Sequence, residues 1–410
     1  MPPPLSPSLA PSRSRPAVLG RGALWAGAVA AIAMSGYLWV RFGSANLLRV
    51  ESPAMAMHVD FETFHRSAAA LLHHGLLYVT GAMVPNLDPP ASTVVYAPFG
   101  WLPMLPAYRL FALLTAIGML GCYAVVAREA RLSGSVCGLA LCAMLVSSPM
   151  LSTIALGQIY GLLLAGLAGA WLADRRDRPI LAGVLLGLVV AVKPTLAPIL
   201  LFAVARRHWP MAIAGFGGAA AGTLTGFVVA GPSQTWAWLK LMSHTTISSS
   251  GDNASLPALA ERLGGPAWLG FALGAVVVGL TLLRIWCGAD REIALWWVIA
   301  AALLLSPVAW NNYLVLAFPG VLLLLARRRL ACAALLLALP LIGVEWAWLF
   351  HGNGLFARAG HSFYCVILFG YWLALRPART PTAEETLAAL DWTEPVTAEA
   401  DRPEMPASRG

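Results

Sequence analysis

Carboxylates are scarce in this chain, so the residues that can act as a general base form a short list. Of the 19 acidic residues, seven lie beyond residue 380, and five more accompany arginines in short segments between apolar runs. The remaining seven are Glu51, Asp60, Glu62, Asp88, Asp252, Glu261 and Glu345. Glu345 stands inside an apolar run, where a charge is costly and marks a functional candidate, although a protonated packing residue fits the same pattern. A positioned carboxylate can take a proton from a reacting hydroxyl group.

The stretch from 58 to 106 contains Asp60 and holds much of the polar chemistry of the chain. Apolar residues recur there at helical spacing and predict an amphipathic helix over 60–74 that lies at a membrane interface. Its apolar positions are Phe61, Phe64, Ala68, Leu71 and Leu72. Glu62 and Arg66 stand four residues apart and are predicted to pair on the opposite face, and Gly75 suits the helix end.

Asp60 falls in the first turn of this predicted helix, where the helix N-terminus favours an ionised carboxylate. A simple helix cap explains the position equally well. The neighbouring residues favour chemistry: Tyr78, Asn86, Asp88 and Tyr96 follow, and prolines at 89, 90, 98, 103 and 106 stiffen an irregular segment. A stiff, polar segment beside a membrane is what a substrate groove needs.

The rest of the chain has the composition of an integral membrane protein. It has 410 residues, of which 59% are hydrophobic and 11% are charged, with a mean hydropathy of +0.72, whereas soluble domains carry about 25% charged residues. Its net charge of +8 comes from Lys and Arg between apolar runs, so we find no nucleic-acid signature. None of the six cysteines forms a C-x-x-C pair, and small buried residues are the interpretation we adopt.

About ten to twelve transmembrane helices are predicted, with several of the apolar runs shorter than a full crossing. The runs are 21–41, 107–127, 133–150, 155–173, 179–192, 195–206, 210–230, 266–286, 292–307, 311–326, 329–350 and 360–376. Short runs around Pro194 and Pro307 are predicted to be broken or re-entrant helices, which a membrane protein tolerates only where they line a cavity.

The arginines between the runs set the predicted orientation. If the spans alternate, nearly all of these arginines fall on one side, which is then the cytoplasm, and both termini are cytoplasmic. The predicted domains are a disordered N-terminus (1–18), a transmembrane domain (19–376) and a disordered acidic tail (377–410). Two large loops, 42–106 and 231–265, then lie on the opposite side with almost every motif-like residue. An extracytoplasmic active site in the plasma (inner) membrane accounts for that asymmetry.

Several short motifs occur along the chain in a fixed order. They are PNLDPP at 85–90 with Tyr96-x-Pro98, GQIYGLL at 157–163, Ala182-Gly183 with AVKPTLAP at 191–198, Asn253-x-Ser255-Leu256 with Arg262, and SPVAWNNY at 306–313. Together they resemble glycosyltransferase family 87, the bacterial polyprenyl-phosphate-sugar-dependent transferases typified by mycobacterial alpha-mannosyltransferases. The resemblance extends over most of 21–376.

The resemblance implies an all-α fold of the GT-C type with the catalytic Asp in the first outer loop, which maps onto Asp60. That carboxylate would take the proton of an acceptor hydroxyl as it attacks the anomeric carbon, with inversion of configuration. No metal and no cofactor is implied, so side chains must neutralise the leaving phosphate. Lys193, beside Pro194 in an apolar run, is our candidate, although it can also snorkel to the interface. Gln158 is expected to contact the sugar or to join two helices.

The other residues expected to bind substrate are His58, Asp88, Tyr96, Asn253, Asn311 and Asn312. At Asn312 the chain departs from the family, which commonly has a histidine there; an asparagine can only hydrogen-bond, whereas a histidine can also carry charge. His58, two residues before Asp60, is expected to substitute for it in part. A histidine metal cluster is the less favoured alternative, because His73 and His74 are adjacent and point in different directions on a helix.

The sequence therefore predicts a multi-pass membrane enzyme that moves mannose, or another hexose or pentose, from a polyprenyl-phosphate carrier to a lipid or glycan acceptor. We expect the protein to contact membrane lipid and to have no nucleic-acid partner. A transporter or lipid-linked-glycan flippase is the alternative; such proteins usually carry internal repeats, and the chain shows no second copy of its motifs. A purely structural membrane subunit would leave Asp60, Gln158 and Lys193 without a role.

Overall fold

The computed structural model describes residues 58–343, 350, 352 and 354–377, and this part of the chain is helical without a β-strand. The all-α prediction is confirmed. The α-helices are α1 (Val59–Leu72), α2 (Pro90–Tyr96), α3 (Met104–Glu129), α4 (Gly134–Leu145), α5 (Ser148–Leu156), α6 (Tyr160–Arg175), α7 (Pro179–Val192), α8 (Leu201–Ala205), α9 (Trp209–Ala230), α10 (Pro232–His244), α11 (Leu256–Arg262), α12 (Ala267–Trp286), α13 (Arg291–Leu305), α14 (Phe318–Ala326), α15 (Leu330–Ala338), α16 (Leu355–Gly360) and α17 (Phe363–Ala374). The predictions for 1–57, the Glu345 region and the acidic tail concern residues outside the described ranges.

By length and composition, three of these helices can cross a membrane, namely α3, α9 and α12. They coincide with the predicted runs 107–127, 210–230 and 266–286. A fourth crossing arises if α4 and α5, which meet at an angle of 53°, form one bent span. Several of the other apolar helices have only 10–17 residues, which agrees with the short runs in the sequence.

Two predicted spans, 133–150 and 155–173, are wrong as continuous helices. The first is interrupted after Leu145, and α5 starts afresh because the Ser147 hydroxyl accepts a hydrogen bond from the Met150 N–H at 3.4 Å. The second is interrupted at Gly157, whose positive φ of 71° ends α5 before α6 begins at Tyr160. The sequence predicts a turn at Ser147–Leu156 between the two spans, and this segment is instead the helix α5. Hydropathy does not reveal the helix, because the residues on either side of each break are equally apolar.

The core of the fold is α13, which is buried along almost its whole length. Every residue from 293 to 304 is inaccessible or nearly so, as expected of a helix that is apolar on all sides. On one flank of the molecule α7 packs tightly against α9. A Cβ atom at Gly187 would lie 2.2 Å from the Gly215 carbonyl oxygen, so only glycine permits this approach of two backbones.

The helix predicted over 60–74 is α1, and the predicted Glu62–Arg66 pair forms at 2.7 Å. Its polar side chains are less open than expected, because the chain after α1 folds back over them. Thr63, His65 and Ser67 are buried and contact the backbone oxygens of Val84, Leu102 and Leu77, respectively. The helix stops close to Gly75, as predicted: α1 ends at Leu72, and the Gly75 N–H donates to the Ala70 carbonyl at 2.7 Å. The positive φ of 55° falls on His74, not on the glycine. Apart from the Glu62–Arg66 pair, the polar side chains of α1 are therefore covered by the chain that follows it.

Charged residues at several helix ends form an ionic rim. Its pairs are Arg175 with Glu292, Arg176 with Glu129 at 3.1 Å, Arg206 with Asp174 at 2.5 Å and Arg327 with Asp290 at 2.5 Å. These contacts join the C-terminal ends of α3, α6, α8 and α14 to the N-terminal end of α13. One end of the bundle thus collects arginines that the sequence places between apolar runs.

Candidate active site

Asp60 is the second residue of α1, and three contacts fix it against the break between α5 and α6. The His58 N–H donates to the Ala155 carbonyl at 2.8 Å. Gly157 lies directly against Phe61, where a Cβ on the glycine would come within 2.5 Å of the phenylalanine Cβ. Gln158 then donates from Nε2 to Oδ2 of Asp60. The same break that ends α5 thus brings an amide donor to the candidate base.

The Asp60 carboxyl group has a pKa above its ordinary value. Burial is the largest cause, and the negative charge of Asp88 acts in the same direction. The hydrogen bond from Gln158 and the positive charge of Lys193 oppose the rise, because both favour the ionised form. A raised pKa brings a carboxylate closer to the range in which it can exchange protons near neutral pH.

Asp88 and Lys193 form a buried ion pair beside Asp60. The Lys193 Nζ lies 2.6 Å from the Asp88 Oδ1, and the two side chains are only 11% and 5% exposed. Pro194 explains why Lys193 lies at a helix end, because the residue before a proline does not readily continue a helix. With Pro194 next, α7 ends at Val192 and a 3₁₀ segment, Pro194–Leu200, follows.

Residues of both large loops, 42–106 and 231–265, hold the segment that carries Asp88. The Asp88 N–H donates to the Asn86 side chain at 3.0 Å, and the Tyr78 hydroxyl donates to the Asp88 carbonyl at 3.0 Å. From α10, the Trp238 indole donates to the Leu87 carbonyl at 3.1 Å. The backbone of this segment is therefore fixed independently of the carboxylate.

Tyrosine rings line the same site. Tyr96 is wholly buried, stacks on Phe64 with ring centroids 4.7 Å apart, and lies within the electrostatic influence of both Asp60 and Asp88. The Lys193 Nζ stands 5.4 Å from the centroid of the Tyr313 ring, a cation–π distance. Tyr313 comes from a second 3₁₀ segment, Asn311–Ala317. Sequence reasoning does not single out Tyr313 as a site residue, although its position inside the SPVAWNNY motif is a usable signal.

Several polar atoms in the site are buried and have no hydrogen-bond partner among the described residues. They include Gln158 Oε1, Asp88 Oδ2 and the Tyr96 hydroxyl. Buried polar atoms normally find a partner, so unpaired ones need an explanation such as a ligand or water. The arrangement offers a carboxylate, a buried cation and unpaired hydrogen-bonding atoms together, which suits a proton transfer next to an anionic group.

The structure brings together Asp60, Asp88, Tyr96, Gln158 and Lys193. Asn253 and Asn311 have other partners. The Asn253 side chain accepts from the N–H groups of Ser255 and Ala309 and donates to the Ser248 carbonyl.

Asn311 donates to the hydroxyls of Ser148 and Ser152 at 3.2 and 3.1 Å. Both asparagines thereby fasten irregular segments to their neighbours.

Asn312 is completely buried, and neither atom of its amide has a side-chain partner within the described residues. His58 directly precedes α1 and has a positive φ of 58°, and burial lowers its pKa, so its imidazole is neutral near pH 7.

Glycosyltransferase family 87 is the family whose model matches this chain, over residues 86–307. That range is more than half of the chain, and the chain belongs to this family. The predictions of the family and of a glycosyltransferase activity are confirmed. The matched range includes Asp88, Gln158, Lys193 and Asn253 and begins after Asp60.

Curated relatives are mycobacterial and corynebacterial enzymes. A polyprenol-phosphate-mannose-dependent alpha-(1-2)-phosphatidylinositol mannoside mannosyltransferase of Mycobacterium tuberculosis is 26% identical over 80% of this chain and 83% of its own length. An alpha-(1->3)-arabinofuranosyltransferase of Corynebacterium glutamicum is 25% identical over 58% of this chain and 60% of its own length. A crystal structure of ArnT from Cupriavidus metallidurans, bound to undecaprenyl phosphate, aligns at 15% identity and a TM-score of 0.37 over 85% of this chain and 76% of that chain.

Proposed function

We propose that this membrane protein transfers a sugar from a polyprenyl-phosphate carrier to a hydroxyl group of a lipid or glycan acceptor, with Asp60 as the general base. One observation carries the proposal: a half-buried carboxylate with a raised pKa lies within the electrostatic influence of a buried lysine. A sugar transfer from a phosphate needs both groups, because a proton leaves the acceptor while negative charge develops on the leaving phosphate.

In the proposed reaction, the acceptor oxygen attacks the anomeric carbon as the bond from that carbon to the phosphate oxygen breaks. Asp60 takes the acceptor proton, and the phosphate keeps the bonding electron pair next to Lys193. Attack from the face opposite the leaving group inverts the anomeric configuration. Gln158 Oε1 and the Tyr96 hydroxyl oxygen supply acceptor atoms for sugar or acceptor hydroxyls, since both are buried and lack partners among the described residues.

Mannose is the sugar to test first, and a pentose such as arabinofuranose is second. The relative whose name specifies polyprenol-phosphate-mannose aligns over more of this chain than the Corynebacterium arabinofuranosyltransferase does. Both names describe transfer of a sugar, so either donor agrees with family membership.

We place this site on the extracytoplasmic face of the plasma (inner) membrane, with both termini in the cytoplasm. Gln158 precedes α6, whereas Arg175 at the other end of this 16-residue helix belongs to the ionic rim. The helix separates the two by about 24 Å. Arginine-rich helix ends lie preferentially on the cytoplasmic side, so the candidate site belongs to the opposite side.

A transfer assay in membranes tests the proposal. Membranes with equal amounts of wild type, Asp60→Asn or Glu62→Gln are supplied with radiolabelled polyprenyl-phosphate-mannose, and label in extracted lipid and glycan is counted. Glu62→Gln is the matched control, because it also removes a carboxylate from α1 but one paired with Arg66. Wild type and Glu62→Gln should incorporate label, and Asp60→Asn should lose at least about 100-fold, the lower range for a general base.

Equal incorporation by Asp60→Asn would exclude Asp60 as the base and direct attention to Asp88. Absence of incorporation by wild type from carriers of mannose, other hexoses and arabinose would contradict a polyprenyl-phosphate donor. Movement of an intact lipid-linked glycan across the membrane, without transfer, would instead support the flippase alternative.

A further inference from the structure

We propose that Asp88 is a resting counterion of Lys193 that the phosphate of the donor displaces, so that the unliganded enzyme keeps its phosphate-binding cation occupied. This inference rests on the proposed role of Lys193 toward the donor. It gives Asp88 a role different from direct substrate binding: the carboxylate competes with the phosphate for one ammonium group.

The contact between the two side chains is close and shielded from water. The Lys193 Nζ lies 2.6 Å from the Asp88 Oδ1, and neither side chain is more than 11% exposed. A buried ammonium without an anion is strongly unfavourable, so an anion must accompany Lys193 at every stage. Asp88 is that anion before the donor arrives.

The charges in the site favour displacement of Asp88 by the phosphate over binding of the phosphate beside an intact Asp88–Lys193 pair. Asp60, Asp88 and Lys193 carry two negative charges and one positive charge when all are ionised, and a sugar phosphodiester adds another negative charge. Arg66 is the nearest cation in sequence to Asp60, but it is about half exposed and bonded to Glu62. A phosphate beside the intact pair would face two carboxylates with one shared cation, and like charges repel strongly where water is excluded.

The Asp88 carboxylate can leave Lys193 while its backbone stays in place. The backbone is fixed through Asn86, Tyr78 and Trp238, and none of these contacts involves the carboxylate. The second carboxylate oxygen, Oδ2, is buried without a partner among the described residues. The Tyr96 hydroxyl also lacks a partner there and lies within electrostatic reach of Asp88. We assign this hydroxyl as the donor that receives the displaced carboxylate.

A static ion pair that merely joins the first outer loop to α7 makes the opposite prediction. If Asp88 only holds Lys193 in position, its removal weakens phosphate binding. If Asp88 competes with the phosphate, its removal strengthens phosphate binding. The sign of one affinity change therefore decides between the two roles.

The test measures binding of undecaprenyl phosphate to the purified full-length protein in lipid nanodiscs, with undecaprenol as the uncharged control probe. The variants are Asp88→Asn, Lys193→Gln and the double variant. Asp88→Asn should bind undecaprenyl phosphate about tenfold more tightly than wild type, because a repelling charge is removed from a low-dielectric site. Undecaprenol binding should not change. Weaker or unchanged phosphate binding by Asp88→Asn would overturn the proposal.

If Asp88→Asn leaves Lys193 unpaired and fails to fold, the double variant still tests whether Asp88 opposes phosphate binding. It removes both charges, so no buried charge remains without a partner. Lys193→Gln alone leaves Asp88 to repel the phosphate, and the double variant should therefore bind undecaprenyl phosphate more tightly than Lys193→Gln. Equal affinities for these two variants would contradict the repulsion between Asp88 and the phosphate on which the exchange rests.

Tyr96→Phe tests the receiving hydroxyl and keeps the ring that stacks on Phe64. It should weaken phosphate binding several-fold in the wild-type background and have no effect beside Asp88→Asn, where no carboxylate is displaced. An equal loss in both backgrounds would contradict a receiving role for Tyr96.

These binding measurements do not require transfer. Tight phosphate binding by Asp88→Asn together with a failed transfer assay would reject the proposed reaction and keep the exchange. Successful transfer together with weaker or unchanged phosphate binding by Asp88→Asn would reject the exchange alone.

Discussion

The Gln158 side chain donates a hydrogen bond to the Asp60 carboxylate, although the two residues are 98 positions apart in the sequence. The other amide atom, Oε1, is buried and unpaired among the described residues. One side chain therefore orients the candidate base and presents an acceptor atom to the same site. We regard Gln158 as a positioning residue for Asp60, beyond the sugar contact that the sequence predicts.

We expect Gln158→Leu to lower kcat by up to about 100-fold, the effect of misplacing a reacting group by about 1 Å. Loss of the Nε2 donor leaves the Asp60 carboxylate free to rotate. Steady-state kinetics with varied donor check this expectation, with Thr225→Val on the exposed side of α9 as the control. A higher KM with an unchanged kcat would contradict the positioning role.

The pH profile of kcat/KM, which reports ionisations of the free enzyme, should show an acidic limb above pH 3.8, the ordinary pKa of an aspartate. Burial raises the Asp60 pKa, and a general base works only when ionised, so activity should rise with pH through the raised value. Gln158→Leu should move this limb to higher pH, because the hydrogen bond from Gln158 favours the ionised form. Glu62→Gln should leave the limb in place. Coincident profiles for wild type and Gln158→Leu would contradict the assignment.

Gly157→Ala should destabilise the protein and reduce transfer. The residue has φ 71°, a conformation that costs a non-glycine residue about 1–2 kcal/mol, and the added Cβ would meet Phe61 at 2.5 Å. Thermal unfolding in detergent measures the change, and Gly118→Ala, with open space around it in α3, is the matched control. Equal unfolding temperatures for the two variants would show that the contact between Gly157 and α1 has little energetic weight.

Asn253→Ala should lower stability without a specific effect on substrate binding. It leaves the buried N–H groups of Ser255 and Ala309 without their side-chain acceptor, at a cost of about 1–3 kcal/mol for each buried group. Unfolding temperature and donor KM are measured together, with Asp252→Asn in the same loop as the control. A raised KM at wild-type stability would restore the substrate contact that the sequence predicts.

The sequence was informative where charge is scarce and an apolar background makes each polar residue conspicuous. Asp60, Asp88, Gln158 and Lys193 stood out for that reason, and the structure brings them together. Their catalytic and binding roles remain predictions. Long apolar runs such as α3 and α12 were also predictable, because nothing within them breaks the helical pattern.

The remaining features depend on which surfaces meet, and periodicity does not encode this. Nothing in the sequence indicates that Asp88 pairs with Lys193 or that Gln158 reaches Asp60. Asn253 and Asn311 have the residue type of a sugar contact, but their backbone and serine partners come from segments distant in sequence. The cover over α1 was missed because loop residues, not another helix, bury its polar side chains.

The candidate site draws on α1, the segment before α2, the α5–α6 break, the end of α7 and the 3₁₀ segment Asn311–Ala317. Synthesis runs from the N-terminus, so Asp60 is made early and Tyr313 late, and the contact between Tyr313 and Lys193 forms only after both are in the chain. A nascent chain released before residue 313 lacks the ring that packs against Lys193. The enzyme therefore acquires its complete site only late in its synthesis, and chains terminated before residue 313 should be inactive in the membrane.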